Sequence, residues 1–313
     1  MSLWVIGAGP HAQEYAKVLV DLGVSFDVVG RGAESAQTFE ANTGKPAITG
    51  GLDSALQTRA APAEAIIAVS FEQLAATALA LIHAGTKRIL LEKPGGITVS
   101  ELAIVTQAAH SHGAKVWVGY SRRFYASTKA AREMIVEDGG PVSCNFEFTE
   151  WSRQIEPMLL PVEVKRAWVI ANSSHVIDLA FHLCGLPLEW KGWHSGGLTW
   201  HEASARYAGA GITDKNVMFS YHADWQAPGR WSVEVLTRKR RLIFRPMEQL
   251  QVTSLASVAV EKVLLDDELD IRFKPGLYRQ TQAFLSQDER FFCSVESQLS
   301  HAKIYSKMAG YLV

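Results

Sequence analysis

The sequence predicts an α/β chain of two domains. The first, residues 1–120, is expected to be a doubly wound parallel sheet, and the second, residues 121–313, an α+β domain with a large, mostly antiparallel open sheet. Three observations carry this. Short β-branched runs alternate with longer periodic segments up to about residue 120, the pattern of βα units on a parallel sheet. Glycines close four of the periodic segments, as helix stops should. Beyond Gly139-Gly140-Pro141 the texture changes to alternating strands. At 313 residues with 48% hydrophobic content, the chain is also longer than one small core serves.

The expected strands of the first domain are 3–6, 26–29, 65–69, 88–91 and 115–118. The helices between them are 10–22, 33–42, 72–84 and 100–112, stopped by Gly23, Gly44, Gly85 and Gly113. A helix at 127–137 precedes the break. The second domain is expected to hold strands at 143–149, 202–207, 216–223, 231–237 and 241–244, then helices at 276–286 and 297–310. Seven of the nine tryptophans fall in this half, which suits sheet packing, a subunit interface or stacking on a sugar ring.

Composition excludes several functions. Lys+Arg of 31 against Asp+Glu of 32 gives a net charge of −1, which argues against a wide nucleic-acid or anionic-lipid footprint. The one basic run, Arg238-Lys239-Arg240-Arg241, lies between two apolar strands and reads as a solvated hairpin turn. No uninterrupted apolar run reaches about 18 residues, and the chain enters a strand at once, so neither export nor a membrane span is expected. Cys144, Cys184 and Cys293 are odd in number and unpaired in spacing. They read as buried small hydrophobes in a cytoplasmic protein.

Gly7-Ala8-Gly9-Pro10-His11-Ala12 follows the first strand and opens the first helix, the context in which a G-x-G-x-x-G/A pattern signals a dinucleotide. Gly7 permits the tight turn and Gly9 the approach of a pyrophosphate. Ala12 lets the helix pack on the sheet, and Pro10 suits the first helical turn. The free amides and the helix dipole then face an anion. His11, Ser70 beyond the third strand, and Glu92 and Lys93 at the end of the strand at 88–91 are further expected cofactor contacts. A site selective for NAD usually offers an acid at the end of the second strand. Here Val28-Val29-Gly30-Arg31 offers a guanidinium instead, so NADP is expected over NAD.

Glu92-Lys93-Pro94-Gly95 ends the strand at 88–91, at the carboxyl edge where open α/β sheets bind ligands. Pro94 keeps Lys93 out of helical geometry. An ammonium there can hydrogen-bond a substrate hydroxyl and stabilise the alkoxide formed as hydride leaves, with Glu92 orienting it. A solvated strand-end pair is the alternative.

The glycine turn, this E-K-P and Val118-Gly119-Tyr120-Ser121-Arg122-Arg123-Phe124 together resemble the Gfo/Idh/MocA family (glucose-fructose oxidoreductase, inositol dehydrogenase) over roughly residues 1–125. The resemblance implies a Rossmann domain joined to an open-sheet domain, and NAD(P)-dependent oxidation or reduction of a sugar, cyclitol or related carbonyl. Asn172-Ser173-Ser174-His175-Val176-Ile177-Asp178 resembles the family's H-x-x-D helix, which makes His175 the acid/base candidate. Asp178, one turn on, would hold the ring or lock the helix. Ala171 stands where many relatives have an aspartate, leaving Asn172 as the nearest polar substitute, for substrate or for a helix cap. A metal on His175, Asp178 and His182 is disfavoured by the helical rise from first to last, roughly 1.5 Å per residue.

Arg122 and Arg123 are the expected contacts to an acidic group on the substrate, with Trp168 in the pocket wall. The expected protein is thus an oxidoreductase in which Lys93 polarises a sugar oxygen and His175 handles its proton. It would need no metal and would form a homodimer or homotetramer through the open sheet face. The rivals are a non-catalytic NADP-binding regulator and a reductase of a non-sugar carbonyl.

Overall fold

Strand β1, Leu3–Ile6, is buried at all four positions, as a strand covered by helices on both faces must be. It lies inside a six-stranded sheet ordered β14-β5-β4-β3-β1-β2. The remaining strands are β2 Asp27–Val29, β3 Glu64–Ile67, β4 Arg88–Glu92, β5 Lys115–Gly119 and β14 Cys293–Ser294. The first five run parallel, and β14 pairs antiparallel with β5. Chain order reverses between β1 and β3, the switch point that opens a crevice at the carboxyl ends. The computed structural model describes residues 2–311.

The crossover helices are α1 Pro10–Asp21, α2 Ala33–Thr43, α3 Gly51–Thr58, α4 Leu74–His83 and α5 Val99–His112. Proline occupies the first turn of α1, and Thr98 and Glu101 form a reciprocal capping box on α5. Gly44 and Gly113 end α2 and α5 in the left-handed conformation, as the glycine spacing predicts. Helix α3 has no counterpart in the sequence expectation. It is eight residues long and opens on Gly50-Gly51, too short and too glycine-led to show a period.

The chain forms two compact units. One comprises the residues up to Ser121 together with Leu269–Ser300, and the other comprises Arg122–Glu268 together with the residues from His301. This corrects a simple boundary after residue 120. Helix α11 (Leu277–Leu285) buries Leu277 and Phe284 among Tyr15, Leu19 and Trp117 of the first core, and β14 adds an edge strand there. An amphipathic helix declares an apolar face in sequence but not which core receives it.

In the second unit α6 (Ala126–Glu137) leads into an eight-stranded sheet ordered β13-β12-β11-β10-β6-β9-β8-β7. The strands are β6 Ser143–Glu147, β7 Pro187–Ser195, β8 Arg206–Thr213, β9 Met218–Asp224, β10 Ser232–Leu236, β11 Arg240–Phe244, β12 Gln251–Ser254 and β13 Glu261–Lys262. Among the described residues of this sheet only the β6–β9 pair is parallel. Buried and exposed residues alternate along β8 and β9. The covered face carries Phe146 and Phe219, which meet Phe181 of α9 (Ser174–Cys184) edge-on at 5.4 and 5.3 Å. Strands β7, β12 and β13 escaped the sequence reading. β7 is exposed along almost its whole length, so its residues show no period of two.

The short helices α7 Ser152–Ile155 and α8 Val162–Arg166 lie in the connection from β6 to α9. Helix α10 (Glu268–Arg272) precedes α11, and α12 (Val295–Ala309) closes the described chain. Basic residues 238–241 do form the expected hairpin, Leu236 pairing with Arg241, and Arg240 is tied to Glu137 and Asp138. All three cysteines are buried. Among the described residues no helix is long and apolar enough to cross a membrane.

Candidate active site

A cleft of about 580 Å³ opens at the carboxyl ends of β1 and β2, walled among others by Gly7, Gly9, Arg31, Ser35, Asp53 and Ser70. Gly7 is fixed twice over. Its φ is +122°, and a Cβ there would sit 2.3 Å from the Ala68 carbonyl oxygen. A Cβ on Gly9 would meet nothing within 4 Å, so its surroundings are the open space that a close backbone–phosphate approach needs. Gly9 caps α1 in extended conformation, with Pro10 next and Ala12 fully buried beneath. These features fit a dinucleotide pyrophosphate on the amides of the α1 start.

Arg31 is exposed at the cleft and, among the described residues, has no ion-pair partner. Asp27 is turned to Arg59 at 3.4 Å. Asp53, on the first turn of α3, also lines the cleft, an acid the sequence reading lacked because α3 itself was not foreseen.

At the end of β4 a chain of polar groups fixes Glu92. Its Oε1 accepts from the Tyr15 hydroxyl at 2.6 Å and lies 2.7 Å from His11 Nε2, while His11 Nδ1 is 3.0 Å from Lys274 Nζ. Burial pushes this carboxyl upward in pKa, but the nearby His11, Tyr15 and Lys274 outweigh it and hold Glu92 below its ordinary value. His11, read from sequence as a cofactor contact, is thus a partner of Glu92, and the first turn of α1 is bolted to the end of β4.

Lys93 follows, buried, with a cis peptide to Pro94. Its backbone N–H donates to Glu92 Oε2 at 3.3 Å. The ammonium lies 4.8 Å over the Phe71 ring, in the short turn Phe71–Gln73 whose neighbours Ser70 and Gln73 wall the cleft. Glu92 therefore orients Lys93 through the backbone. Ser70 itself donates to Glu72.

In the second unit His175 stands, partly exposed, on the first turn of α9, its ring centroid 6.0 Å from that of Trp231. Asp178 does not reach back to it. Its oxygens take a two-pronged contact from Arg123, Nε at 2.8 Å and Nη2 at 2.6 Å, with both residues buried. Arg123 and Asp178, expected at substrate and in catalysis, are instead each other's partners and lock α9 to the segment before α6. Burial together with Arg123 and Arg132 drives the His182 imidazole well below its usual pKa. Trp168 is likewise no open wall: it is buried in the core, edge-on to Trp200 at 5.9 Å.

The residues just before α9 form a wide π-helical turn, Val169–Ser173, so the α-helical 100° spacing does not apply to Asn172. Asn172 Nδ2 donates to both oxygens of Glu150 at 3.1 and 3.3 Å, and Ser173 Oγ donates at 2.7 Å. Ala171 is fully buried and brings no acid.

Sequence reasoning missed Glu150. It carries the buried carboxyl of this neighbourhood, and burial raises it to about 7 against the pull of Ser173, Arg230 and Asn172. It also missed Arg230, whose guanidinium carbon lies over Trp231, 4.3 Å from its centre, and over Trp151, 4.4 Å from its centre. The signal available was Glu150-Trp151 and Arg230-Trp231, charged residues beside aromatics at strand ends, which is weak without the fold.

Residues 1–120 match the GFO_IDH_MocA model, described as "Oxidoreductase family, NAD-binding Rossmann fold". No curated protein matches the sequence. Among solved structures the chain is similar to UDP-N-acetylglucosamine 3-dehydrogenase GnnA from Acidithiobacillus ferrooxidans, with TM-score 0.76 and 15% identity over 99% of this chain and 97% of that one. It is similar to levoglucosan dehydrogenase in complex with NADH, with TM-score 0.80 and 16% identity over 99% and 96%. An oxidoreductase from Agrobacterium radiobacter in complex with NAD+, L-tartaric acid and magnesium gives TM-score 0.78 at 12% identity over 98% and 94%. At these identities the likeness is one of fold.

Proposed function

We propose that the chain, whose residues 1–120 match the model of the Gfo/Idh/MocA NAD-binding oxidoreductases, binds NAD(P) and oxidises or reduces a secondary alcohol or ketone of a sugar-like molecule. When bound, the nicotinamide supplies or accepts the hydride. The amides around Gly7 and Gly9 hold the pyrophosphate, and Arg31 takes the 2'-phosphate, which makes NADP the preferred form. The absence of an ion-pair partner on Arg31 supports that preference, whereas Asp53 opposes it.

Lys93 hydrogen-bonds the substrate oxygen and stabilises negative charge on it as the C–H bond breaks. His175 exchanges the hydroxyl proton. Arg122 and Asn172 contact the substrate. Asp178, through Arg123, holds the helix that carries His175. The sugar class is supported by two structural neighbours whose names are sugar dehydrogenases.

The observation that carries this reading is Lys93, buried at the strand end and held over Phe71 beside the glycine cleft. The test is an absorbance screen with NADP(H) and NAD(H) over sugars, sugar acids, cyclitols and nucleotide sugars. Turnover is expected with one of these classes, reduced about 100- to 1000-fold in Lys93→Met. His175→Ala is expected to cost about 100- to 10,000-fold. Activity surviving both substitutions overturns the mechanism. Self-association through the open sheet face is supported by Met218, Trp193 and Leu188, each more than half exposed on β9 and β7. Light scattering is expected to give a dimer or tetramer, and a monomeric mass overturns it.

A further inference from the structure

We propose that the second unit carries a subsite for an anionic substituent, a carboxylate or a phosphate, built from Arg122 and Arg230 over the Trp231 indole. The proposal rests on the reading that the neighbourhood of His175 receives substrate, and it narrows that substrate to a charged one.

The Arg122 guanidinium lies 4.8 Å from the centre of the Trp231 ring and that of Arg230 4.3 Å. The same indole is the aromatic neighbour of His175. Arg122 is half-buried, and among the described residues its guanidinium meets only aromatic rings, Trp231 and, at 5.8 Å, Tyr125. Its Nε is buried without a hydrogen-bond partner, and among the described residues no carboxylate pairs with it. Arg123, the next residue, shows what the fold does with a guanidinium it needs structurally: a two-pronged bond to Asp178.

Charge accounting around Trp231 gives the same answer. Among the described residues Arg230 has one acid, Glu150, at 3.4 Å, and that carboxyl already accepts from Ser173 and Asn172. Because burial raises Glu150 to about 7, it carries only part of a negative charge at neutral pH. Two guanidiniums thus stand over one ring with less than one full counter-charge. A partly desolvated cation lacking a partner is costly, and an incoming anion relieves that cost. An aromatic ring against a guanidinium takes none of its N–H donors, so they stay available to meet a carboxylate or phosphate. Trp151, half exposed with Arg230 over its ring at 4.4 Å, leaves the outer end of the array open to solvent.

The test is calorimetric binding to the protein saturated with NADP, using three probes of one ring: glucuronate, glucose 6-phosphate and uncharged glucose. One charged probe is expected to bind at least about tenfold more tightly than glucose, and salt should erode that advantage. Glucuronate leading assigns the anion as a carboxylate, and glucose 6-phosphate leading assigns it as a phosphate; both support the subsite. In Arg122→Gln, and more fully with Arg230→Gln added, the advantage should fall to within about twofold. Melting curves verify that both variants fold, and Arg122→Lys should recover part of the preference. Equal binding of glucose and the charged probes, no binding of any charged probe, or an advantage that survives the double substitution overturns the proposal. Because binding is read without turnover, charged-probe binding with no hydride transfer would refute the catalytic reading and leave the subsite standing.

Discussion

Glu92 in the first unit and Glu150 in the second are both carboxyls almost wholly removed from water, and they are displaced in opposite directions. Glu92 sits 2.7 Å from an imidazole that is itself backed by Lys274, and a phenol donates to it as well. Glu150 is surrounded by neutral donors, the Asn172 amide and the Ser173 hydroxyl, and its one cation is 3.4 Å away with its side chain 42% exposed. Burial penalises the ionised form of both, and what differs is whether a close positive group offsets it. The first environment makes a fixed anchor, tying α1 to the strand end that bears Lys93. The second makes a carboxyl that changes charge near neutral pH, hydrogen-bonded to Asn172 and Ser173 just before the helix that bears His175.

Asp178, with a full guanidinium fork, extends the comparison to the strongest pairing. Asp178→Ala strands Arg123 in the core and should cost about 3–5 kcal/mol in chemical denaturation. A loss under 1 kcal/mol would mean that the fork does not lock α9.

For Glu150 the sign follows from proton binding. The folded carboxyl holds its proton up to about 7, whereas the unfolded one releases it near 4.5. Between those values the native state binds more protons, so stability is full below about 4.5 and is lost as pH rises through 7. The difference between about 7 and 4.5 corresponds to about 3 kcal/mol. Glu150→Gln should remove this slope, seen as melting curves that converge with wild type at low pH and lie above it at pH 8. Parallel curves would place the comparison in error.

Glu92 should behave inversely. Its stabilising contribution is present above 4.5 and disappears as pH falls through its depressed folded value. Glu92→Gln should cost about 2 kcal/mol at neutral pH, the loss shrinking in acid. His11→Ala, removing the imidazole that contacts Glu92 and links it to Lys274, should cost about 1 kcal/mol and raise Glu92 in a carbon-13 carboxyl titration.

Much of this was legible in the chain. The alternation of apolar runs and glycine stops gave the parallel sheet, because burial on both faces leaves no other pattern for those strands. The placement of Gly7, Gly9 and Lys93 at strand ends was readable because backbone sterics and strand-end position are local properties. Glu150 was not, since its environment is made by Asn172 and Arg230, 22 and 80 residues away along the chain. For the same reason Arg123 looked available for substrate, its partner lying 55 residues on. Leu269–Ser300 falls in the other unit because an amphipathic helix does not name its core, and the π turn before α9 that carries Asn172 is not anticipated by a helical wheel.

The most direct test of the central claim is the rate of nicotinamide absorbance change under substrate and cofactor saturation in wild type and Lys93→Met. A fall of about 100-fold or more in kcat with unchanged dinucleotide affinity is the predicted result. Equal kcat in the two proteins would contradict it.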